Sequence, residues 1–267
     1  MDKSPVIELF SIGTELTLGQ IQDTNAHWIA QQILQLGGQL RRVTMLRDEF
    51  EEMFEAISDA IARKTDLILT TGGLGPTPDD MTVEVVAKII GRPTIVHEAT
   101  LSSFMERRQI TNRDDIGPAL ISMATVPEGA DVFQNPVGWA PCIRVVEGDS
   151  SILLMPGPPR EMKSIFETYI TPLIAERYSS KTATRRVYVN MFEAEVSPLL
   201  QQVMGEHPGT YLKAYVALRR TDGQFMPVDL VSTGADEVDA ASRLEKASEY
   251  FRTLVVQKSK VFSLEEQ

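Results

Sequence analysis

Asp66-Leu67-Ile68-Leu69-Thr70-Thr71-Gly72-Gly73-Leu74-Gly75-Pro76-Thr77-Pro78-Asp79-Asp80-Met81-Thr82 is the stretch that decides how the rest of the chain reads. Leu67, Ile68 and Leu69 form a short apolar run with threonines behind it, the pattern of a buried strand. The run enters Gly72, Gly73 and Gly75, then two prolines, then the pair Asp79-Asp80. Over 82–90 the spacing predicts a helix with Val83, Val86, Ala87 and Ile90 on one face and Gly91 as its C-cap. The amides of a glycine-rich turn between strand and helix favour an anion, typically phosphate. Two aspartates in that turn repel phosphate unless a cation stands between them. The turn therefore suggests phosphate plus a divalent metal on oxygen ligands of the kind magnesium prefers. The plainer alternative is an ordinary connection in which an aspartate caps the helix. No Lys-Ser or Lys-Thr follows the glycines, so this is no Walker loop, and the spacing does not match the dinucleotide fingerprint.

Working outward toward the N-terminus, Val6–Ile12 reads as a strand ending at Gly13-Thr14-Glu15. Asp23 or Thr24 caps a helix carrying Ala26, Ile29, Ala30, Ile33 and Leu34. Gln39–Leu46 is a second strand ending at Arg47-Asp48, and 49–63 a second amphipathic helix. The order βαβαβα with short connections predicts a parallel sheet covered on both faces. Glu15, Asp48 and the glycine turn each follow a strand's C-terminal end. In an open parallel sheet those ends share one edge, where ligands bind, so these residues should converge.

Toward the C-terminus, 97–113 and 114–122 read as helices, and 123–133 contains a strand. Asn135-Pro136-Val137-Gly138-Trp139-Ala140-Pro141 is a loop rich in breakers. Strands at 142–146 and 151–155 flank a hairpin-like Glu147-Gly148-Asp149. Pro156-Gly157-Pro158-Pro159 then opens a helix over 160–178, with Arg160 and Lys163 near its start as phosphate ligands or as solvated charges. A polar linker at 179–182 separates a βαββα unit: strands at 186–192, 210–218 and 225–231, helices at 195–204 and 236–252, and a hairpin turn at Thr221-Asp222-Gly223. The expected division is thus 1–178, 183–257 and a frayed tail at 258–267.

The chain has 267 residues, 43% of them hydrophobic, enough for two globular domains. No apolar run reaches the roughly 18 residues of a membrane span, and the N-terminal stretch lacks a signal-peptide h-region. A single cysteine, Cys142, excludes an intramolecular disulfide, which fits the cytoplasm. A formal charge of −11 argues against nucleic acid as a partner, and the βαββα unit has no Gly-X-X-Gly loop. His27, His97 and His207 are widely spaced and read as structural or exposed. The expected partners are a nucleotide or pterin phosphate and a second copy of the chain, in a dimer that the small unit helps to form.

Gly13-Thr14-Glu15-Leu16, Gly19-Gln20-Ile21, Asp23-Thr24-Asn25-Ala26, the stretch from Thr70 to Thr82, Asn135 with Ala140-Pro141, and Pro156-Gly157 with Pro159-Arg160-Glu161-Met162 together resemble the competence/damage-inducible protein A family. The motifs occupy about the first 175 residues in the family's order. The resemblance implies a three-layer αβα, mostly parallel sheet of the molybdopterin-binding type, followed by a small KH-like α+β domain. It also implies a nucleotide pyrophosphatase that cleaves ADP-ribose with a divalent metal (magnesium, manganese or cobalt) and potassium. The similar domain of eukaryotic FAD synthase cleaves FAD. In the molybdopterin branch, the aspartates matching Asp80 and Asp48 are assigned to the active site. Three departures stand out, one of them Glu193-Ala194-Glu195 in the small domain, where many members have Glu-Ser. The family's Gly-Thr-Ala-Pro-Gly is here Gly138-Trp139-Ala140-Pro141-Cys142, where the tryptophan stacks on a base or fills a gap. The amidase domain of longer members has no counterpart, so amidase function is not carried over.

These readings converge on one expected site. Asp80, Asp48 and Glu15 are the catalytic candidates, and Asp48, Asp79 and Asp80 the metal ligands. Gly72, Gly73, Gly75, Thr77 and Thr82 from the turn, with Asn135, Pro156, Gly157 and Arg160, are the phosphate- or nucleotide-binding set. The leading expectation is metal-dependent hydrolysis of a nucleotide pyrophosphate. The alternatives are a molybdopterin-binding protein of cofactor assembly and a nucleotide-binding module without turnover.

Overall fold

The structure, a computed structural model, describes residues 6–177, 180–218 and 225–264. It divides into two compact units, Met1–Leu34 with Gly38–Arg177, and Gln35–Gly37 with Tyr178–Gln267. No helix among the described residues is long and apolar enough to cross a membrane.

The first unit begins β1 (Val6–Ile12), α1 (Thr14–Thr17), α2 (Thr24–Gln35), β2 (Gln39–Leu46), α3 (Phe50–Ala62), β3 (Leu67–Thr71) and α4 (Thr82–Ile89). It continues with β4 (Thr94–Val96), α5 (Glu98–Arg108), α6 (Pro118–Met123), β5 (Thr125–Pro127), β6 (Asp131–Phe133), β7 (Cys142–Glu147) and β8 (Ser150–Met155). It ends with α7 (Pro159–Ile165), which runs through a π-helical turn (Phe166–Ile170) into α8 (Thr171–Arg177). The main sheet has the order β2-β1-β3-β8-β7-β6. Its first four strands are parallel, and β7 and β6 are antiparallel additions. Every residue of β3 and β8 is buried, as their near-continuous apolar runs require for strands covered on both faces.

The order explains where a ligand can sit. From β1 the chain steps to β2 on one side and returns to β3 on the other, so a crevice opens between β1 and β3 at their C-terminal ends. The register sets those ends level: Ile12 pairs with Leu46, Ser11 with Thr71, and Thr71 with Met155. Met53, Ile57 and Ala60 of α3 and Val85 and Val86 of α4 close one face of the sheet. Val85 replaces Val83 and Ile90 as the buried partner of Val86, because α4 packs against α3 and β5 as well as the sheet. The helix expected over 97–113 stops at Arg108, with Gln109 left-handed at its end, and His97 is its N-cap. Around α5, Leu101, Phe104, Ile116 and Ala124 form a small core of their own.

The second unit is β9 (Lys181–Val189), α9 (Glu193–Glu206), β10 (Thr210–Ala214), β11 (Met226–Gly234), α10 (Glu237–Gln257) and β12 (Phe262–Ser263). They build an antiparallel sheet of order β10-β11-β9-β12, with a core of Val187, Val228, Leu230, Val203 and Phe251 among others. Two expectations change here. The linker at 179–182 is already strand at Lys181 and Thr182, which pair with Gly234 and Thr233. The tail is not simply frayed, since Phe262 pairs with Val189 and packs edge-on against Phe251 at 5.8 Å. The hairpin turn at Thr221-Asp222-Gly223 lies outside the described residues.

Candidate functional site

A cleft of about 390 Å³ opens at the C-terminal edge of the parallel strands. Gly13 and Glu15 enter it after β1, Asp48 after β2, Gly72 to Pro76 with Asp79 and Asp80 after β3, and Pro156 to Pro158 with Glu161 after β8. The convergence expected from the strand ends is therefore present. No lysine, arginine or histidine lines the cleft among the described residues.

The glycines of the turn answer first to packing. Gly72 (φ +102°) has a conformation that L side chains rarely adopt, and a Cβ there would strike the Ile12 carbonyl. At Gly73 (φ +67°) a Cβ would strike the Thr82 hydroxyl, and at Gly75 it would lie 2.5 Å from Asp80 Oδ2. The Gly72 amide donates to the Met155 carbonyl at 2.9 Å, tying the β3 turn to the end of β8. The Thr77 amide is likewise spent. The amides of Gly73, Leu74 and Gly75 donate to no described residue, which leaves them the turn's unspent donors.

Asp80 does not cap α4, whose N-cap is Met81. Its Oδ2 turns back and accepts from the Thr77 amide at 2.9 Å and the Thr77 hydroxyl at 2.6 Å. The carboxylate thus fixes the turn while lining the cleft. Asp79 is exposed. Asp48 is clasped by Thr14: Oδ2 accepts from the Thr14 amide at 2.7 Å and hydroxyl at 3.0 Å, and the Asp48 amide donates back to that hydroxyl at 3.2 Å. Asp48 Oδ1 has no partner among the described residues. Glu15 folds over its own turn, so that a Cβ on Gly13 would lie 2.6 Å from Glu15 Oε1.

Several expected residues act behind the cleft. Thr82 is fully buried, and its hydroxyl donates to the Gly72 carbonyl at 3.1 Å, bracing the turn. Thr77 serves Asp80. Asn135 is buried and organises the loop after β6: its Oδ1 accepts from the Val137 and Gly138 amides, and its Nδ2 donates to the Ala140 carbonyl and to Glu161 Oε2. Arg160 is exposed and does not line the cleft, so its expected phosphate contact is corrected. Lys163 lies over the Trp28 ring at 5.4 Å. Pro156 and Gly157 do form a wall, and the Gly157 carbonyl accepts from Asn25 at 2.7 Å.

Glu161 was not among the expected residues. It lines the cleft from the first turn of α7, and its Oε2 accepts from Asn135 Nδ2 at 2.6 Å and the Trp139 amide at 3.3 Å. Gly138 packs so closely on it that a Cβ would collide with the carboxylate. In the sequence an acidic residue in a helix's first turn reads as a partner of the helix dipole, which hides it. Trp139 fills a gap: its ring meets Phe104 edge-on at 5.4 Å and lies under Arg107 at 3.9 Å.

The donor set is all oxygen, the type that magnesium, calcium or manganese takes. Among the described residues no three His, Cys, Asp or Glu side chains stand close enough to hold a metal, so Asp48, Asp79 and Asp80 share the cleft without forming a ready cage. That arrangement fits a largely hydrated cation held by one or two carboxylates and the ligand's own phosphate.

Comparison with known proteins agrees with this architecture. Residues 8–176 match the family described as "Probable molybdopterin binding domain". A protein of Pyrobaculum calidifontis is 33% identical over 249 residues, covering 91% of this chain and 93% of the relative. A CinA-like protein of Mycobacterium marinum is 37% identical over 200 residues, covering 71% of this chain and 47% of the relative, so the chain spans about half of that protein. The crystal structure of the protein CinA, of unknown function, from Thermoplasma acidophilum superposes with a TM-score of 0.59 at 30% identity, covering 64% of this chain and 98% of that one. On the family match and a relative one-third identical over nearly its whole length, the chain belongs to the competence/damage-inducible protein A (CinA) family and carries a molybdopterin-binding-like domain at its N-terminal side.

Proposed function

We propose that the cleft binds a phosphorylated small molecule of the molybdopterin class, its phosphate on the free amides of Gly73, Leu74 and Gly75 and a divalent cation between phosphate and carboxylates. One observation carries the reading: among the described residues, three amides without a partner and five acidic residues share a cleft that no cationic side chain lines. Five acidic residues alone would repel phosphate, and three amides alone would not offset its charge. Asp80 and Asp48 support the cation in this reading, because each has one oxygen fixed by a threonine and one without a partner among the described residues. The family match supports a pterin ligand at least as well as a dinucleotide.

The number of carboxylates favours a second reading, hydrolysis of a phosphoanhydride such as that of ADP-ribose. Binding a hydrated cation takes one or two carboxylates, and here Glu15 and Glu161 remain to orient water. When bound, the cation would lower the pKa of a water and offset charge on the phosphates. Water adds across the P–O–P bond: one P–O bond forms, one breaks, and two phosphate monoesters leave.

Calorimetric titration of the whole protein with a pterin phosphate and with ADP-ribose, in magnesium and again in EDTA, tests both readings. The expected result is binding that weakens at least about tenfold when the cation is removed, a loss of about 1.4 kcal/mol. Binding indifferent to EDTA would overturn the cation-bridged site. Release of AMP and ribose 5-phosphate from ADP-ribose decides for the hydrolase; binding without release decides for the pterin-type binder.

A further inference from the structure

Beside the cleft lies a second cavity, of about 140 Å³. The two cavities share one residue, Trp139. Its ring is pinned on the cavity side: Phe104 meets it edge-on at 5.4 Å, the Arg107 guanidinium lies 3.9 Å from its centroid, and Arg107 Nη1 donates to the Gly138 carbonyl at 2.6 Å. Trp139 is thus a fixed wall, not a loose surface group. Phe104 and Pro141 supply further flat apolar surface. Gln134 brings an amide to the lining, its Nε2 donating to Ser103 at 3.3 Å and its side-chain Oε1 without a partner among the described residues. His97 also lines the cavity, with Nδ1 occupied by Thr100 at 2.7 Å and Nε2 unpartnered among the described residues. No carboxylate lines this cavity among the described residues, the reverse of the cleft.

Flat apolar walls with the Arg107 guanidinium and a few amide, hydroxyl and imidazole groups suit a planar nitrogen heterocycle, which offers π faces to the walls and the guanidinium, and ring nitrogens to the polar groups. We propose that this cavity is the ring subsite of the ligand whose phosphate occupies the cleft, and that it takes a fused heterocycle of the purine or pterin type. The inference rests on the phosphate reading of the cleft, because a phosphate held there makes Trp139 the wall that the rest of the ligand passes. Trp139 and Gln134 then determine specificity without touching the phosphate.

Matched ligands that differ in the ring test this directly. The whole protein is titrated in magnesium with AMP, neopterin monophosphate and ribose 5-phosphate. At least one of the ring-bearing ligands should bind about tenfold or more tightly than ribose 5-phosphate, the size of one base-stacking contact; which one shows the advantage tells purine from pterin. Ser103→Phe, and separately Ala99→Phe, place an aromatic ring in the cavity from α5. Each should abolish that advantage while ribose 5-phosphate affinity stays within about twofold. Circular dichroism verifies that the variants are folded. Equal affinities in the unaltered protein, or an undiminished ring advantage in both folded variants, would overturn the subsite. If ribose 5-phosphate shows no magnesium-dependent binding, the phosphate reading fails on its own. Adenosine and neopterin against ribose, read by quenching of tryptophan fluorescence, then still decide the cavity, and no quenching by either ring would remove it.

Discussion

Asp80 shows how the structure changes the question asked of a residue. Its position before a helix suggests a cap, yet it clamps its own turn through Thr77. Asn at this position keeps an oxygen for the Thr77 amide and loses the charge. Asp80→Asn should therefore stay folded, with a melting temperature within about 3 °C of the unaltered protein. The cation's effect on ligand binding should shrink by about tenfold or more, and any ADP-ribose hydrolysis should fall on the order of 100-fold. Paired titrations with and without EDTA check it; a folded variant with full cation dependence would leave Asp80 as a loop clamp alone. Asp48 and Glu15 were legible because each ends a strand in a parallel sheet, where topology fixes the edge they share. Thr82, Asn135 and Arg160 do not line the cleft itself, because a motif gives proximity in sequence but not which way a side chain turns; Asn135 lines the neighbouring cavity instead. Cys142, at the start of β7, is buried and its thiol pushed up to about 12, so it has no role as a nucleophile.

At the scale of elements, strand identity was readable from apolar runs, and strand ends were less so. β9 begins at Lys181, five residues before the apolar alternation at Arg186–Val187 signals a strand, because polar residues at its start are satisfied by pairing with β11. A two-residue strand such as β12 offers no period to detect. One ion cluster joining several elements has no local signature at all. Glu8 on β1 is fully buried; it accepts from Arg63 at the end of α3 at 2.9 Å and from Thr65 before β3 at 2.9 Å, with Arg42 of β2 at 3.9 Å. Burial pushes its carboxyl up, but the Arg63 and Thr65 hydrogen bonds and the two guanidinium charges outweigh that and leave it below the usual range. A depressed folded pKa means stability that is present above the unfolded value, near 4.3, and lost as pH falls through the folded one. Arg63→Ala leaves the burial and removes the largest offset to it, so the Glu8 carboxyl moves back up. The variant should be about 3 kcal/mol less stable at pH 7, with the gap narrowing toward pH 4 as Glu8 takes up a proton. Urea unfolding at the two pH values measures it; a gap that does not change with pH would show that Glu8 is not the group responsible.

At the scale of the molecule, each unit has a core of its own, and that is the physical basis for expecting each to fold alone. The first closes around Phe10, Ile68, Val86, Ile152 and Leu154, the second around Val187, Val203, Leu230 and Phe251. Both fall within ordinary domain sizes. A chain ending at Arg177 should unfold cooperatively and keep the cation-dependent binding of the full chain, because every residue lining the cleft lies before that point. Among the described residues all those lining the cleft belong to the first unit, and in the second β10 lies at the edge of its sheet with Tyr211 exposed. An unpaired edge with exposed apolar surface invites a second strand, and a twofold pair is the commonest way for identical chains to supply it. The full chain should accordingly be a dimer and the shortened chain a monomer, with ligand affinity unchanged between them. Light scattering on both, beside a titration of each, separates assembly from binding. The same oligomeric state in both chains would remove the second unit from assembly, and lost binding in a folded, shortened chain would show that the cleft needs more than the residues that line it.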